Sequence, residues 1–134
     1  MNPHINKHRG FTLMELLVVM VILGMLAALV GPALFGNISK GQVSAAQTQM
    51  DSLATALDNY RLDIGGYPRS MEGLVENDTG RDIWGGPYIR DDVVPKDPWG
   101  NDYVYTPGDK DFDLLSQGAD GAPGGEGDDA DIEQ

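Results

Sequence analysis

The sequence predicts an α+β fold in which a long N-terminal helix packs on a small antiparallel β-sheet. An uncharged apolar run, Leu16–Phe35, comes first, and an amphipathic stripe then continues the helical pattern as far as Ile64. Short strand-like segments separated by turn residues follow in the second half of the chain. A chain of 134 residues has room for one small domain beside such a helix.

The apolar segment, residues 11–36, is predicted to span a membrane. No charged residue lies between Leu16 and Phe35, and about 20 residues rising about 1.5 Å each cross the hydrocarbon core of a bilayer. A buried core helix is the alternative, but so small a domain could not cover a helix that is apolar on every side. The segment therefore indicates a membrane protein.

One carboxylate, Glu15, lies one turn inside this apolar segment. A charge there costs about 2.5 kcal/mol or more without a partner, so Glu15 either stays hydrated among lipid headgroups or serves a function. Residues 1–10 are polar and basic, which favours a cytoplasmic N-terminus. Cleavage after Gly10 would place a new α-ammonium group at Phe11, one helical turn from Glu15. The opposite charges would attract strongly at low dielectric, within one chain or between neighbouring chains.

The helical pattern continues over residues 37–64. Its apolar residues recur at alternating spacings of three and four and form one stripe, at Val43, Ala46, Met50, Leu53, Leu57, Tyr60 and Ile64. This stripe predicts packing against the sheet of the same chain, with a coiled coil as the alternative. The segment from Gly65 to Pro68 is expected to end the helix, because glycine favours the C-terminal turn and proline disfavours helix in the residue before it.

The head is predicted to continue with a variable loop, residues 65–87, that contains one helical turn near Ser70–Glu76. Short strands joined by tight turns are expected within residues 88–134, where they would form a three-stranded antiparallel sheet. The β-like segments there are Tyr88–Ile89, Val93–Val94, Tyr103–Thr106 and Asp111–Leu114.

The end of the chain is rich in glycine and acid, with nine acidic residues and one basic residue from Asp109 onward. This composition is typical of a disordered acidic tail. The alternative is a calcium-binding loop, because Ca²⁺ takes about six to eight oxygen ligands and glycines let a loop close around it. A cation would also stabilise a small head that has no disulfide. Asp109, Asp111 and Asp113 match the start of an EF-hand loop, but Leu114 stands where that loop needs glycine.

Composition argues against catalysis and against nucleic-acid binding. The formal net charge of −12 repels a phosphate backbone. There is no cysteine, and the two histidines, His4 and His8, both lie in the segment expected to be removed. The processed chain would lack the commonest general base and the most reactive nucleophile. Neither a phosphate-binding glycine loop nor a nucleophile elbow occurs, so the sequence predicts that the protein is not an enzyme.

The N-terminal motif carries a family resemblance. The segment Gly10-Phe11-Thr12-Leu13-Met14-Glu15, followed by the apolar run, resembles the class III signal of type IV pilins and pseudopilins. The resemblance implies that a prepilin peptidase cleaves between Gly10 and Phe11 and N-methylates Phe11. It also implies that Glu15 pairs with the Phe11 amine of an adjacent subunit, and that the helix melts or kinks near Pro32 in the assembled filament.

The head resembles the major pseudopilins of type II secretion systems, whose fold is type IV pilin-like. The motifs that carry the resemblance are Asp58 to Asp63, Gly66 to Pro68, Pro95 to Asn101, Gly118 to Gly121, Gly124 to Gly127 and Ala130 to Ile132. It implies a calcium site in the C-terminal loop, with Asp120 and Asp131 as carboxylate ligands and Asp128 or Asp129 close by. Ser116 and Gln117 would add a backbone or hydroxyl oxygen, although Gln117 replaces the apolar residue usual there.

The resemblance implies a structural role at the bacterial inner membrane. The chain would cross the membrane once, with its N-terminus cytoplasmic before processing and its head in the periplasm. Copies would polymerise into a periplasmic pseudopilus with minor pseudopilins, on an inner-membrane assembly platform, and drive folded proteins across the outer membrane. Two alternatives stay open: a type IV pilin of an extracellular pilus, and a membrane-anchored calcium-binding module that never polymerises.

Overall fold

The computed structural model describes the backbone of residues 11–134 and the side chains of residues 11–30 and 38–134. One long helix, α1, runs from Leu13 to Ile64. Two short 3₁₀ helices and three strands follow: Met71–Leu74, β1 at Val104–Pro107, β2 at Phe112–Ser116, Gly127–Asp129, and β3 at Ile132–Glu133.

The chain divides into two compact units, and the first ends at Ile38. Within it the stretch Leu13–Val30 is long and apolar enough to cross a membrane, with a mean hydropathy of 2.8 and no residue buried. α1 continues through Pro32, which lies inside the helix. Over Leu13–Val30 the helix therefore exposes a continuous apolar surface, as the sequence predicts for a membrane span.

The second unit, Ser39–Gln134, is the head, and its core lies along one face of α1. The core residues are buried to at least nine-tenths: Ala46, Met50, Leu53, Ala56, Leu57 and Tyr60 from α1, with Met71, Leu74, Tyr103, Leu114 and Ile132 from the rest of the head. The predicted stripe thus packs within its own head, with only Val43 and Ile64 partly exposed, so its apolar seam is not free to pair with another helix. Helix and sheet are also joined by a hydrogen bond, from Tyr103 Oη to Gln49 Oε1 at 2.6 Å.

The sheet has three antiparallel strands in the order β1-β2-β3. Val104 pairs with Leu115 and Pro107 with Phe112, while Ser116 pairs with Ile132. The antiparallel sheet is confirmed, but its third strand is β3, which comes from the segment taken for a tail or a metal loop. The EF-hand alternative is wrong, because the β1–β2 hairpin holds the three aspartates that matched it.

The predicted β-segments Tyr88–Ile89 and Val93–Val94 are not strands. Side-chain packing holds Tyr88 instead: its ring makes edge contacts with Tyr60 and Trp84, and its hydroxyl donates to Asp63 Oδ2 at 2.7 Å. Strand propensity therefore gives way to aromatic packing there.

The predicted end of the long helix and the predicted short helical turn both lie close to the observed ones. α1 stops at Ile64, where Gly65 takes φ +93° and its N–H donates to Arg61 O at 2.8 Å. A positive φ costs glycine little, which is why it ends helices so often. The turn expected near Ser70–Glu76 is the 3₁₀ helix Met71–Leu74.

Candidate functional site

The first turn of α1 is closed by reciprocal hydrogen bonds between Thr12 and Glu15. The backbone N–H and the hydroxyl of Thr12 donate to Glu15 Oε2 at 2.9 and 3.1 Å, and Glu15 N–H donates to Thr12 Oγ1 at 3.2 Å. This arrangement is a capping box, in which a threonine before the helix and a glutamate three residues later satisfy each other's backbone groups. The carboxylate that is anomalous in the sequence is therefore hydrogen-bonded within its own chain.

The surface around this cap is apolar and uncovered. Phe11 is 81% exposed, and no residue of Leu13–Val30 is buried. Glu15 thus lies at the end of a surface suited to lipid or to another apolar helix, beside the residue whose amine a cleavage would release. Gly10, on the other side of the predicted cleavage, lies outside the described residues.

The second candidate site is the loop that joins β2 to β3, residues 117–131. A buried pair supports its start: Ser116 Oγ donates to Asp97 Oδ2 at 2.6 Å, and both residues are buried. The other oxygen of Asp97 accepts the backbone N–H groups of Trp99 at 3.1 Å and Asn101 at 2.8 Å. Both oxygens of this buried carboxylate are therefore satisfied, and Asp97 fixes its turn against β2.

The mouth of the loop closes around Gly118. Asn101 Nδ2 donates to Gly118 O at 2.8 Å, and Ala119 N–H donates to Asp128 O at 2.8 Å. Gly118 takes φ +64°, and a Cβ there would lie 2.7 Å from Asp128 O and 2.9 Å from Ala130 O. The two ends of the loop thus meet backbone to backbone, in a space that admits no side chain.

Gly118→Ala is expected to open this mouth and to destabilise the head by about 1–3 kcal/mol more than Gly127→Ala does. Both glycines take φ +64°, but a Cβ at Gly127 meets nothing within 4 Å, so that variant isolates the cost of the backbone conformation. Thermal unfolding followed by tryptophan fluorescence measures both. Equal losses in the two variants would contradict the close approach at Gly118.

The two aspartates predicted as principal calcium ligands differ in how they are held. Asp131 Oδ2 accepts Gly124 N–H at 2.9 Å, whereas Asp131 Oδ1 is buried with no hydrogen-bond partner among the described residues. Asp120 Oδ1 accepts Ala122 N–H at 3.0 Å in an exposed turn. Asp131 therefore has an oxygen that lacks a positive partner, and Asp120 keeps one oxygen facing solvent.

The other predicted ligands lie at the two ends of the loop. Asp128 and Asp129 are exposed in the 3₁₀ helix, and Asp128 Oδ1 accepts a hydrogen bond from the Ser39 hydroxyl. The hydroxyl of Ser116 donates to Asp97 and is therefore already used in the hydrogen bonds beneath the loop. Gln117 is half-buried between that frame and the loop.

A hard cation in this loop would have to be held by a mixed ligand set. Within residues 11–134, no three acidic side chains approach closely enough to bind a metal ion by themselves. A cation here would need backbone carbonyl oxygens besides the carboxylates, which Ca²⁺ accepts readily. The unsatisfied Asp131 Oδ1 is the observation that favours a cation, since a buried charged oxygen without a partner is costly.

Sequence reasoning assigned no role of their own to Asp97 and Asn101, which build the frame beneath this loop. The backbone N–H of Asn101 donates to the Asp97 carboxylate, and its side-chain amide donates to Gly118 O. Asn101 therefore links the Asp97 turn to the start of the loop. An aspartate followed by a turn and an asparagine four residues later is the signal that could have found them, because aspartate often caps the N–H groups of the turn it begins.

The fold and these two sites define a class of protein: a pilin-like subunit, with an apolar N-terminal helix capped by one acid and a small α+β head. The family described as "Type II secretion system (T2SS), protein G" matches residues 33–134, and the "Prokaryotic N-terminal methylation motif" matches residues 5–31. The chain belongs to the type II secretion system protein G family.

Similar proteins extend over nearly the whole chain. The type II secretion system core protein G of Vibrio cholerae is 48% identical, over 94% of this chain and 90% of its own length. That of Pseudomonas aeruginosa is 46% identical over 94% of both chains. The crystal structure of the major pseudopilin from the type 2 secretion system of enterohaemorrhagic Escherichia coli is 35% identical, covering 75% of this chain and 92% of its own, with a TM-score of 0.58.

Proposed function

We propose that this protein is the major structural subunit of a type II secretion pseudopilus, with no enzymatic role. One observation carries the proposal: a methylation motif over residues 5–31 is joined to a protein G head over residues 33–134 in one chain. The relatives named core protein G and the structural likeness to a major pseudopilin support it.

Processing is the first step of the proposed pathway. The precursor lies in the bacterial inner membrane with residues 1–10 in the cytoplasm and the head in the periplasm. Prepilin peptidase removes the leader after Gly10 and methylates the amine of Phe11. The uncovered apolar stretch Leu13–Val30 supports this topology, because its length and hydropathy fit one crossing of a bilayer.

Assembly then depends on the carboxylate of Glu15. Before docking, the capping box with Thr12 satisfies it and keeps the first turn of α1 intact. When apolar helices bundle, the carboxylate loses water and pairs with the Phe11 ammonium of a neighbouring subunit. A subunit docked out of register would bury both charges unpaired, which is strongly unfavourable. The pair thus sets the axial register, and Pro32 gives the helix a weak point at which to adapt.

Calcium orders the C-terminal loop in this proposal. Asp131 and Asp120 hold it, with Asp128 or Asp129 nearby and backbone oxygens at Ser116 and Gln117. Bound Ca²⁺ supplies positive charge that offsets the repulsion among these carboxylates. The frame of hydrogen bonds beneath the loop keeps its start in place, so the cation has to order only the remainder.

The assembled fibre grows in the periplasm from an inner-membrane platform, together with minor pseudopilins. Its growth moves folded proteins through an outer-membrane channel. Side chains of the head, not of the apolar helix, would meet these partners, since the apolar helices occupy the interior of the bundle.

The mass of the native protein tests this proposal directly. The expected mass is that of residues 11–134 plus one methyl group, measured by intact mass spectrometry of protein purified from its own membranes. Gly10→Val serves as the control, because a β-branched side chain at the cleavage site should leave the chain full-length. A native chain that still begins at Met1 would overturn the proposal. Long fibres of this chain outside the cell would favour the extracellular pilin, and a processed chain that stays monomeric would favour the anchored calcium module.

A further inference from the structure

A groove on the head lies between the 3₁₀ helix Met71–Leu74 and the segment before β1, and Tyr103 and Tyr105 are among the residues that line it. Its volume is about 510 Å³, which is within the range of sites that hold several side chains of a ligand. The proposed roles of Glu15 and of the C-terminal loop make no use of this groove.

Negative charge dominates the walls of the groove. Four carboxylates line it, at Glu72, Glu76, Asp92 and Asp102, against the single guanidinium of Arg69. Within the part of the chain that the structure describes, Asp102 alone among these four has a salt-bridge partner, Lys96 Nζ at 3.2 Å.

Two of these carboxylates repel one another across the groove. A hydrogen bond from the Ser70 hydroxyl lowers the pKa of Glu72, while the charge of Asp102 acts in the opposite direction. Both groups are exposed, and a cation placed between them would remove this unfavourable interaction.

The rim of the groove also carries an uncovered apolar side chain. Val93 is 68% exposed, next to the half-buried Val94. An aliphatic side chain that packs on Val93 would bury surface that now faces water, at about 25 cal/mol per Å². The groove therefore matches a ligand that combines positive charge with aliphatic side chains.

We propose that this groove binds a short segment of another protein that carries lysine or arginine together with aliphatic residues. A bare divalent cation fits less well, because no three acidic side chains converge anywhere within residues 11–134. Lysine and arginine carry their charges on flexible stems, so separate carboxylates can each receive one.

A second copy of this chain fits less well than a basic partner. Two of the nine basic residues precede residue 11, so seven bases face 21 acids and the net charge from residue 11 onward is −14. Those seven bases lie six or more positions apart in the sequence, so no short segment of a second copy brings two of them into the groove together, as a basic segment of another protein can. The occupant is therefore a different protein with a basic, partly aliphatic segment.

A peptide-binding experiment tests this on the full-length chain in detergent micelles, before any assembly. The probe is a fluorescein-labelled hexapeptide that alternates valine or leucine with lysine or arginine, and fluorescence anisotropy gives Kd at physiological salt. The double variant Glu76→Lys with Asp92→Lys should weaken binding about tenfold or more, because it reverses the charge of two walls. Asp109→Lys with Glu133→Lys changes net charge equally outside the groove and should weaken it less than about twofold.

Each of the other possible outcomes supports or overturns the proposed peptide-binding groove. Equal weakening by the two double variants, or no binding at all, would overturn the proposal, since the first indicates attraction to net charge alone. A peptide in which serine replaces each valine or leucine keeps the same charge and should bind several-fold more weakly, and equal affinity would remove the role of Val93. If the groove variant fails to assemble yet binds peptide normally, the occupant is a second copy and the proposal is wrong. A negative result leaves the filament role intact, because peptide binding and the mass of the mature chain are measured separately.

Discussion

Replacing Glu15 by alanine is expected to leave the chain processed and inserted in the membrane but unable to assemble. Breaking a buried ion pair costs about 3–5 kcal/mol, which lowers the association constant of a subunit by about two to four orders of magnitude. Pelleting of crosslinked fibres from cells that overproduce the system measures assembly, and secretion of a type II substrate measures the consequence. Membrane fractionation should show the variant at its normal level.

Glu15→Gln separates the ion pair from the helix cap. A glutamine at this position still closes a capping box with Thr12, so the first turn of α1 is kept while the charge is lost. We expect it to fail in assembly almost as completely as alanine does. Fibres of normal length from the glutamine variant would show that the cap is what matters, and the proposed register mechanism would then be wrong.

Calcium is expected to raise the melting temperature of the head by roughly 10–20 °C when present at about a hundredfold excess over Kd. Asp131→Asn should remove most of that rise, because asparagine can still accept the Gly124 N–H but brings no charge to the cation. Asp120→Ala should also reduce it. Tryptophan fluorescence of the full-length chain in detergent, with calcium or with a chelator, provides the melting curves.

The stability of Asp131→Asn in the absence of calcium provides a second test of the calcium site. In a chelator Asp131→Asn should be as stable as the wild type or more so, since a neutral amide nitrogen, which costs less to bury unpaired than a charged oxygen, takes the place of Oδ1. Glu133→Gln, an exposed acid in β3, serves as the control and should leave the calcium response unchanged. A wild type that melts at the same temperature in both buffers, or an asparagine variant that loses equal stability in both, would contradict a calcium site at Asp131.

The helix and its two faces follow from sequence because their signals are long. An uncharged run over Leu16–Phe35 and a stripe at alternating spacings of three and four each extend over several turns, and the buried residues of α1 fall on that stripe except for Ala56. Turn chemistry likewise identifies the end of α1 at Gly65. Such patterns are reliable because the apolar residues that form them are the residues that pack in the folded protein.

The sheet and the loop frame are less predictable because they depend on contacts distant in sequence. β3 has only two residues, and the glycines and acids before it suggest disorder instead. Its place is fixed by pairing with β2 and by the core position of Ile132. The pairing of Asp97 with Ser116 spans 19 residues, and no local pattern reveals it. The unsatisfied oxygen of Asp131 is likewise visible only in three dimensions.

The shortness of β3 bears on how heads behave when crowded. Two residues present few unpaired N–H and C=O groups, too few to template a foreign strand. In a fibre of the kind proposed, heads would stand side by side at very high local concentration, where an open strand edge invites amyloid-like growth. In such a fibre, neighbouring heads would contact each other at this side of the sheet through side chains and not through strand pairing. Such contacts would separate again when the fibre is dismantled.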